Sequence, residues 1–280
     1  MIFEIIYIII YNGYIRLQKF LPEAKMICDL QKASLLKRAS AYILDLILLT
    51  IVITGAAFAL SAIFKYDSYS QTLDRIYNEY EAEYGIDFDI SSEAFNALTE
   101  EEQKKYEDVN RLMNENEEAI EAYNMTVNLA LVITSLSILI AYLSLEFAVP
   151  MILKNGQTVG KKVFGIGLVR QDCVRITPFM LFVRTLLGKC TVETMIPAYI
   201  LILIIFGNLG MTGTVILVGF AVLQLALVAT SRTNAAIHDM MAATVAVDLN
   251  SQMIFESEAD LLAYKNKLHA ENAARDKYIS

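Results

Sequence analysis

Three carboxylates stand where carboxylates are costly. Asp45 is the one charge in the 26-residue apolar run Ala39–Phe64, and Glu146 the one charge in the 29-residue run Met125–Leu153. Asp239 lies in the short apolar stretch Ala235–Val247, eight residues past a further apolar run that ends at Ser231. An ionised group at the centre of a membrane helix costs roughly 2.5–3.5 kcal/mol, so such groups pair or line a wet cavity. Arg38, Arg184 and Lys161 are the cations placed to answer them. Arg38 precedes Asp45 by two helical turns and shares its face. Two chemistries fit these residues. In one, Asp45, Glu146 and Asp239 form a site for protons or monovalent cations, with burial raising a carboxylate's pKa and a nearby guanidinium lowering it. In the other, Arg38–Asp239 and Arg184 with Asp45 or Glu146 are permanent ion pairs that pin elements together.

The elements that must hold these groups are membrane helices. The chain has 280 residues, 56% hydrophobic and only 19% charged, with mean hydropathy +0.45. A bilayer core of ~30 Å needs about 20 apolar helical residues. Besides the two runs above, Thr194–Ser231 carries no charge over 38 residues. As one helix it would reach about 57 Å, so it must turn, and Gly207-Asn208-Leu209-Gly210 supplies the glycines for that. The expectation is four spans, near 39–64, 125–152, 190–206 and 213–231.

Charge sets the orientation. Six Lys and Arg precede the first span, seven lie in 154–189 and five follow the fourth span, whereas 65–123 holds five against 17 acidic residues. The positive-inside rule then places both termini and 154–189 in the cytoplasm, and 65–123 outside. The net charge of −8 argues against nucleic acid as a partner. Three cysteines and two histidines are too few for a disulfide framework or a zinc-finger site. The cysteines fall on the cytoplasmic side, where no disulfide is expected. No nucleophile elbow or metal-ligand spacing occurs, so no enzyme and no cofactor is expected.

The segments outside the apolar runs divide into distinct parts. Met1–Tyr14 is apolar but carries Glu4 and lacks a basic flank or small-residue cleavage site. It is no signal peptide. Residues 1–25 read as an interfacial segment or an upstream start-site artefact. The acidic loop reads as a helical hairpin: Asp67 or Ser68 caps a helix ending at Gly85, and Thr99 with Glu102 makes a capping box for a helix running from Glu100 through Tyr123 into span two. In 154–189, Gly156 and Gly160 are followed by Lys161-Lys162, but spacing and hydroxyl are wrong for a phosphate loop. Val163–Val169 and Val174–Ile176 read as a β-hairpin around Gln171-Asp172. Thr177-Pro178 then opens an amphipathic helix whose Arg184 and Lys189 snorkel to the interface.

The series Lys37-Arg38 to Asp45, then Gly156-Gln-Thr158-Val-Gly160-Lys161-Lys, then Arg184, then Ile237-His-Asp239-Met-Met-Ala-Ala-Thr244 resembles the RDD family of bacterial membrane proteins. The arginine and two aspartates that name the family match Arg38, Asp45 and Asp239. Met240 departs, standing where the family usually has a basic residue. The resemblance spans about Leu35–Val247, with 65–123 as an insertion. It implies an inner-membrane protein of a few helices, some relatives being linked to cation/proton exchange. The expected architecture is an all-α membrane protein in three parts. They are a cytoplasmic N-terminal segment 1–34, a transmembrane domain 35–247 and a cytoplasmic tail 248–280. The partners expected are the lipid bilayer, monovalent cations or protons, and further copies of the chain. The expected function is transport of cations, protons or a small solute through the cluster of buried carboxylates and arginines; a non-transporting scaffold, whose acidic hairpin or tail binds another protein, is the alternative.

Overall fold

The structure, a computed structural model, describes residues 29–153, 155–205, 209–231 and 233–279. The reading of residues 1–25 and the Gly207-Asn208 half of the expected turn lie outside the described residues. Among the described residues, four helices are long and apolar enough to cross a membrane: α1 (Leu35–Phe64), α5 (Glu117–Leu153), α7 (Pro178–Ile205) and α8 (Gly210–Thr230). This is a mostly helical membrane protein, as expected, and it carries one two-stranded sheet among the described residues. Its chain divides into two compact units, one built from residues up to Thr50 together with Ala141 onward, the other from Ile51–Ile140.

The second unit carries the acidic insertion. α2 (Tyr66–Tyr84) starts after Lys65, which sits at φ 54° without a side-chain cap, rather than at Asp67 or Ser68. It stops at Gly85 (φ 57°), whose N–H reaches the Glu81 carbonyl. A single helical turn, α3 (Ser92–Asn96), follows. The Thr99–Glu102 capping box opens α4 (Glu100–Glu115). The helix does not continue into span two. Asn116 breaks it with extended backbone, and its side-chain oxygen accepts from the N–H groups of Glu118 and Ala119 at 3.0 and 3.2 Å to cap α5. Asparagine competes well for that capping position, and no proline or glycine marks the break. Arg75 ties the two arms, at 2.9 Å from Glu79 and 2.6 Å from Glu118.

The first unit holds the sheet. β1 (Ile166–Arg170) pairs antiparallel with β2 (Thr244–Asp248), Leu168 facing Ala246. The expected local β-hairpin is therefore corrected. Val174–Ile176 contributes only isolated bridges, Arg175 to Val169 and Val174 to Phe255, while the main partner of β1 comes from beyond the fourth span. Alternation identifies a strand but does not name its neighbour. The segment before α1 joins the other side of β2: Ala33 N–H donates to Ala246 O (3.1 Å) and Asp248 N–H to Gln31 O (2.8 Å). Ala33, Ala41, Ile166, Leu168 and Ala246 form one core cluster, and Val169, Val245 and Val247 another. Cys173 is disulfide-bonded, against the expectation of none, and Cys190 is a buried free thiol. Compartment governs whether thiols meet an oxidant; folding governs which thiols meet each other.

Two spans carry π-helical stretches. In α5 this covers Tyr142–Ala148, with the Val149 N–H bonded to the Ser144 carbonyl five residues back. In α7 it covers Val183–Met195, with the Ile196 N–H bonded to the Thr191 carbonyl. The expected separate interfacial helix is thus continuous with span three. α6 (Val159–Val163) and α9 (Ile237–Met241) are single turns, and α10 (Glu258–Ile279) closes the chain.

Candidate charge cluster

Asp239 is 1% exposed and Arg184 3%. α9 presents Asp239 in its first turn, where its carboxylate also faces the Ala236 N–H at 3.5 Å. Arg184, from the π stretch of α7, bonds Asp239 Oδ1 directly and donates to Thr244 Oγ1 at 3.1 Å. Thr244, the first residue of β2, donates in turn to Asp239 Oδ1 (3.3 Å). Arg38 reaches Asp239 Oδ2 at 3.4 Å and gives its other nitrogen to the Asn234 carbonyl at 2.7 Å. One carboxylate thus receives two guanidiniums and a hydroxyl. Burial alone would raise the Asp239 pKa, yet Arg184, His238 and Arg38 outweigh it and hold the group well below the ordinary carboxylate range. With Met240 in place of a neighbouring basic residue, the balancing charge comes from two other elements.

His238, next in the chain, links this carboxylate to a second one, its Nε2 standing 3.6 Å from Asp239 Oδ2. Its backbone N–H and its Nδ1 meet the two Glu193 oxygens at 2.9 and 2.7 Å, and Gln224 of α8 also bonds Glu193. Burial pushes the His238 pKa below its ordinary value. Each ring nitrogen thus faces a carboxylate, Nδ1 that of Glu193 and Nε2 that of Asp239, and a carboxylate only accepts. Gly188 of α7 makes the approach possible: a Cβ there would lie 2.6 Å from His238 Cβ.

Glu146, from the π stretch of α5, pairs with Lys189 at 2.5 Å, and its carbonyl accepts from Thr185 Oγ1 at 2.9 Å. Both partners are buried. Neither snorkelling cation of α7 reaches the interface as expected. The i→i+5 hydrogen bonds widen the turn, which brings Arg184 and Lys189, five apart, toward one buried face with Thr185 and Gly188. Arg184 accordingly serves Asp239 rather than Asp45 or Glu146.

Asp45 is held differently. Thr158 Oγ1 donates to its Oδ2 at 2.5 Å and the Gly160 N–H to its Oδ1 at 2.8 Å. Lys161 Nζ donates to Thr158 Oγ1 at 3.2 Å and stands 4.0 Å from Asp45. Burial presses the Lys161 pKa down to about 8, while the Glu146 and Asp45 charges pull it back up. Through Lys161 the Asp45 and Glu146 neighbourhoods act on one another. Gly156 (φ 60°) turns the chain into this loop, and a Cβ there would strike Ile176 and Leu168. Asp45, Glu146 and Asp239 are thus all buried and all engaged, in one unit, with Arg38, Arg184 and Lys161 beside them. Lys189, Glu193 and Thr244 complete the arrangement and were not anticipated. Among the described residues no group of three or more His, Cys, Asp or Glu gathers to hold a metal ion.

Gly160 carries a direct test. A Cβ there would fall on the Ala41 carbonyl and 2.9 Å from Asp45 Cγ, whereas at Gly55 it would meet nothing within 4 Å. Gly160→Ala should cost about 1–3 kcal/mol by overpacking, read as a lowered melting temperature in detergent. Gly55→Ala should leave the melt unchanged or raise it, because alanine favours the helix by ~1 kcal/mol. Equal melts for the two variants would remove the contact between α6 and α1 from the account.

No curated protein and no solved structure matches the chain. A family model, described as the RDD family, matches residues 32–243. That interval contains every member of the cluster but Thr244, from Arg38 and Asp45 through the Gly156–Lys161 loop to Arg184 and Asp239, and on this ground the chain belongs to the RDD family.

Proposed function

We propose that this is a non-enzymatic, multi-pass scaffold of the bacterial plasma membrane, whose buried charges clamp its helices together. The observation that carries the reading is that the buried carboxylates are already engaged. Each buried carboxylate already accepts from protein donors: Asp239 from two arginines and Thr244, Glu146 from Lys189, Asp45 from Thr158 and Gly160. Breaking such contacts leaves an uncompensated charge, so they resist exchange with a passing ion. The Lys and Arg distribution supports cytoplasmic termini and a cytoplasmic 154–189 segment. The acidic insertion 65–123 and the tail 248–280 are then the surfaces offered to a protein partner on either side.

One observation favours a second reading, cation/proton exchange through an oligomer. Asp45 alone among the three carboxylates has no cation in hydrogen-bond contact, Lys161 standing 4.0 Å away, and Lys161 titrates near 8. Reconstituted liposomes loaded with a pH dye separate the two. Under the scaffold reading an imposed pH gradient persists after Na⁺ or K⁺ is added, as in protein-free liposomes. A collapse seen with the wild type and absent in Asp45→Asn of equal folded yield would overturn the scaffold and establish exchange.

A further inference from the structure

The connection between α5 and α7 is polar enough in sequence to be left in water. Its packing puts it elsewhere. Gly160 of α6 lies against Ala41 and Asp45, its N–H bonded to the Asp45 carboxylate. Those residues stand six and ten positions into α1 from Leu35, roughly 9 and 15 Å along its axis. Both fall inside the apolar run that starts at Ala39. α6 therefore sits beside α1 at the level where hydrocarbon begins.

At that level α6 turns two side chains outward, Lys162 and Val163, and Val163 is 64% exposed. Phe179, in the first turn of α7, is 73% exposed, and Leu36 and Ile152 at neighbouring span ends are exposed as well. These apolar groups continue the outward surface of α1, where Tyr42, Ile43, Leu46 and Ile47 are exposed. Left in water, apolar surface costs about 25 cal/mol per Å². A lysine beside it can lay its stem on acyl chains and lift its ammonium to a phosphate.

We propose that α6 is an interfacial anchor, with Val163 seated among lipid acyl chains and Lys162 on an anionic headgroup, so that the α5–α7 connection rests in the bilayer rather than above it. Non-spanning backbone is tolerated at that depth because its inner side is buried against protein. The chain has no tryptophan, so a single introduced one is an unambiguous reporter. Val163→Trp and Phe179→Trp are placed in vesicles of phosphatidylcholine and phosphatidylglycerol brominated at upper acyl carbons. Leu262→Trp, on α10 and 58% exposed, is the water-facing reference. Both interfacial reporters should be strongly quenched relative to unbrominated vesicles, because an interfacial apolar face lies ~5–10 Å into the headgroup and acyl boundary, and Leu262→Trp almost not at all. Val163→Cys labelled with bimane after purification repeats the measurement with less change in volume. Val163 reporters that quench no more than Leu262→Trp overturn the proposal. So does a blue-shifted reporter that bromine leaves bright, which would mean a second protein surface covers α6.

Discussion

Asp239→Asn should be among the most damaging single substitutions in this protein, costing about 3–5 kcal/mol and most of the folded yield. The asparagine keeps the shape and one acceptor but removes the charge that two guanidiniums share. Arg184 is buried and cannot escape by losing its proton, since arginine stays charged in proteins. The readout is thermal unfolding in detergent with retention on size exclusion. Removing both ends of the shortest contact should hurt less than removing one. Arg184→Met with Asp239→Leu fills the space without a stranded charge, and such replacements are often neutral or better. Arg38 would remain, but at 18% side-chain exposure it has a route to water. The acid response has a definite sign. The folded pKa of Asp239 lies below its unfolded value, so its stabilisation is complete above the unfolded pKa of about 3.9 and is lost as pH falls through the folded one. The gap in melting temperature between wild type and Asp239→Asn should therefore stay constant from neutral pH down to about 5 and close only in stronger acid. A single variant that melts within about 1 kcal/mol of wild type, the scale of an exposed pair, would remove this contact as a clamp.

The positions of the charges were legible because charge in an apolar run is rare and costly. That argument finds Asp45 and Glu146 without any knowledge of the fold. Arg38 and Asp239 came as a pair because the series of motifs carried both, and the structure joins them. Partner identity was less legible. Reading α7 with α-helical spacing sends Lys189 away from Arg184 and out to the interface. The five-residue hydrogen bonds of Val183–Met195 return it to the buried face, beside Glu146. No composition signal marks that change of winding. The Glu193–His238 bond was missed for a related reason: it uses both Glu193 oxygens and depends on how closely Gly188 lets α9 approach. β1 was recognisable as a strand, but its partner β2 lies across two spans, and alternation holds no record of that distance. Asn116 is the local counterpart, a capping residue inside a charged helix-forming run, where propensity favours continuation and the side chain interrupts it.

Glu146→Gln should behave differently from Asp239→Asn although both strand a buried cation. Lys189, 9% exposed at its side chain, is left without its carboxylate, yet a lysine can give up its proton. From an ordinary lysine pKa near 10.4, doing so at pH 7 costs about 4.6 kcal/mol, and each further pH unit removes about 1.4 kcal/mol of that cost. The defect in Glu146→Gln is therefore capped, and it should shrink markedly between pH 7 and pH 9, whereas arginine offers Asp239→Asn no such relief. Melting curves of both variants against wild type over that range provide the comparison. Lys189→Met reverses the asymmetry: Glu146 is stranded instead, can neutralise only by taking up a proton, and its defect should grow as pH rises. The double variant Glu146→Leu with Lys189→Met should depend on pH least and recover stability beyond the sum of its parts, because a removed pair leaves nothing uncompensated. Opposite pH slopes for the two single variants are what a direct Glu146–Lys189 bond in a dry setting gives. Parallel slopes, or flat ones, would mean that water already screens the pair, and the clamp would have to rest on Arg38, Arg184 and Asp239 alone.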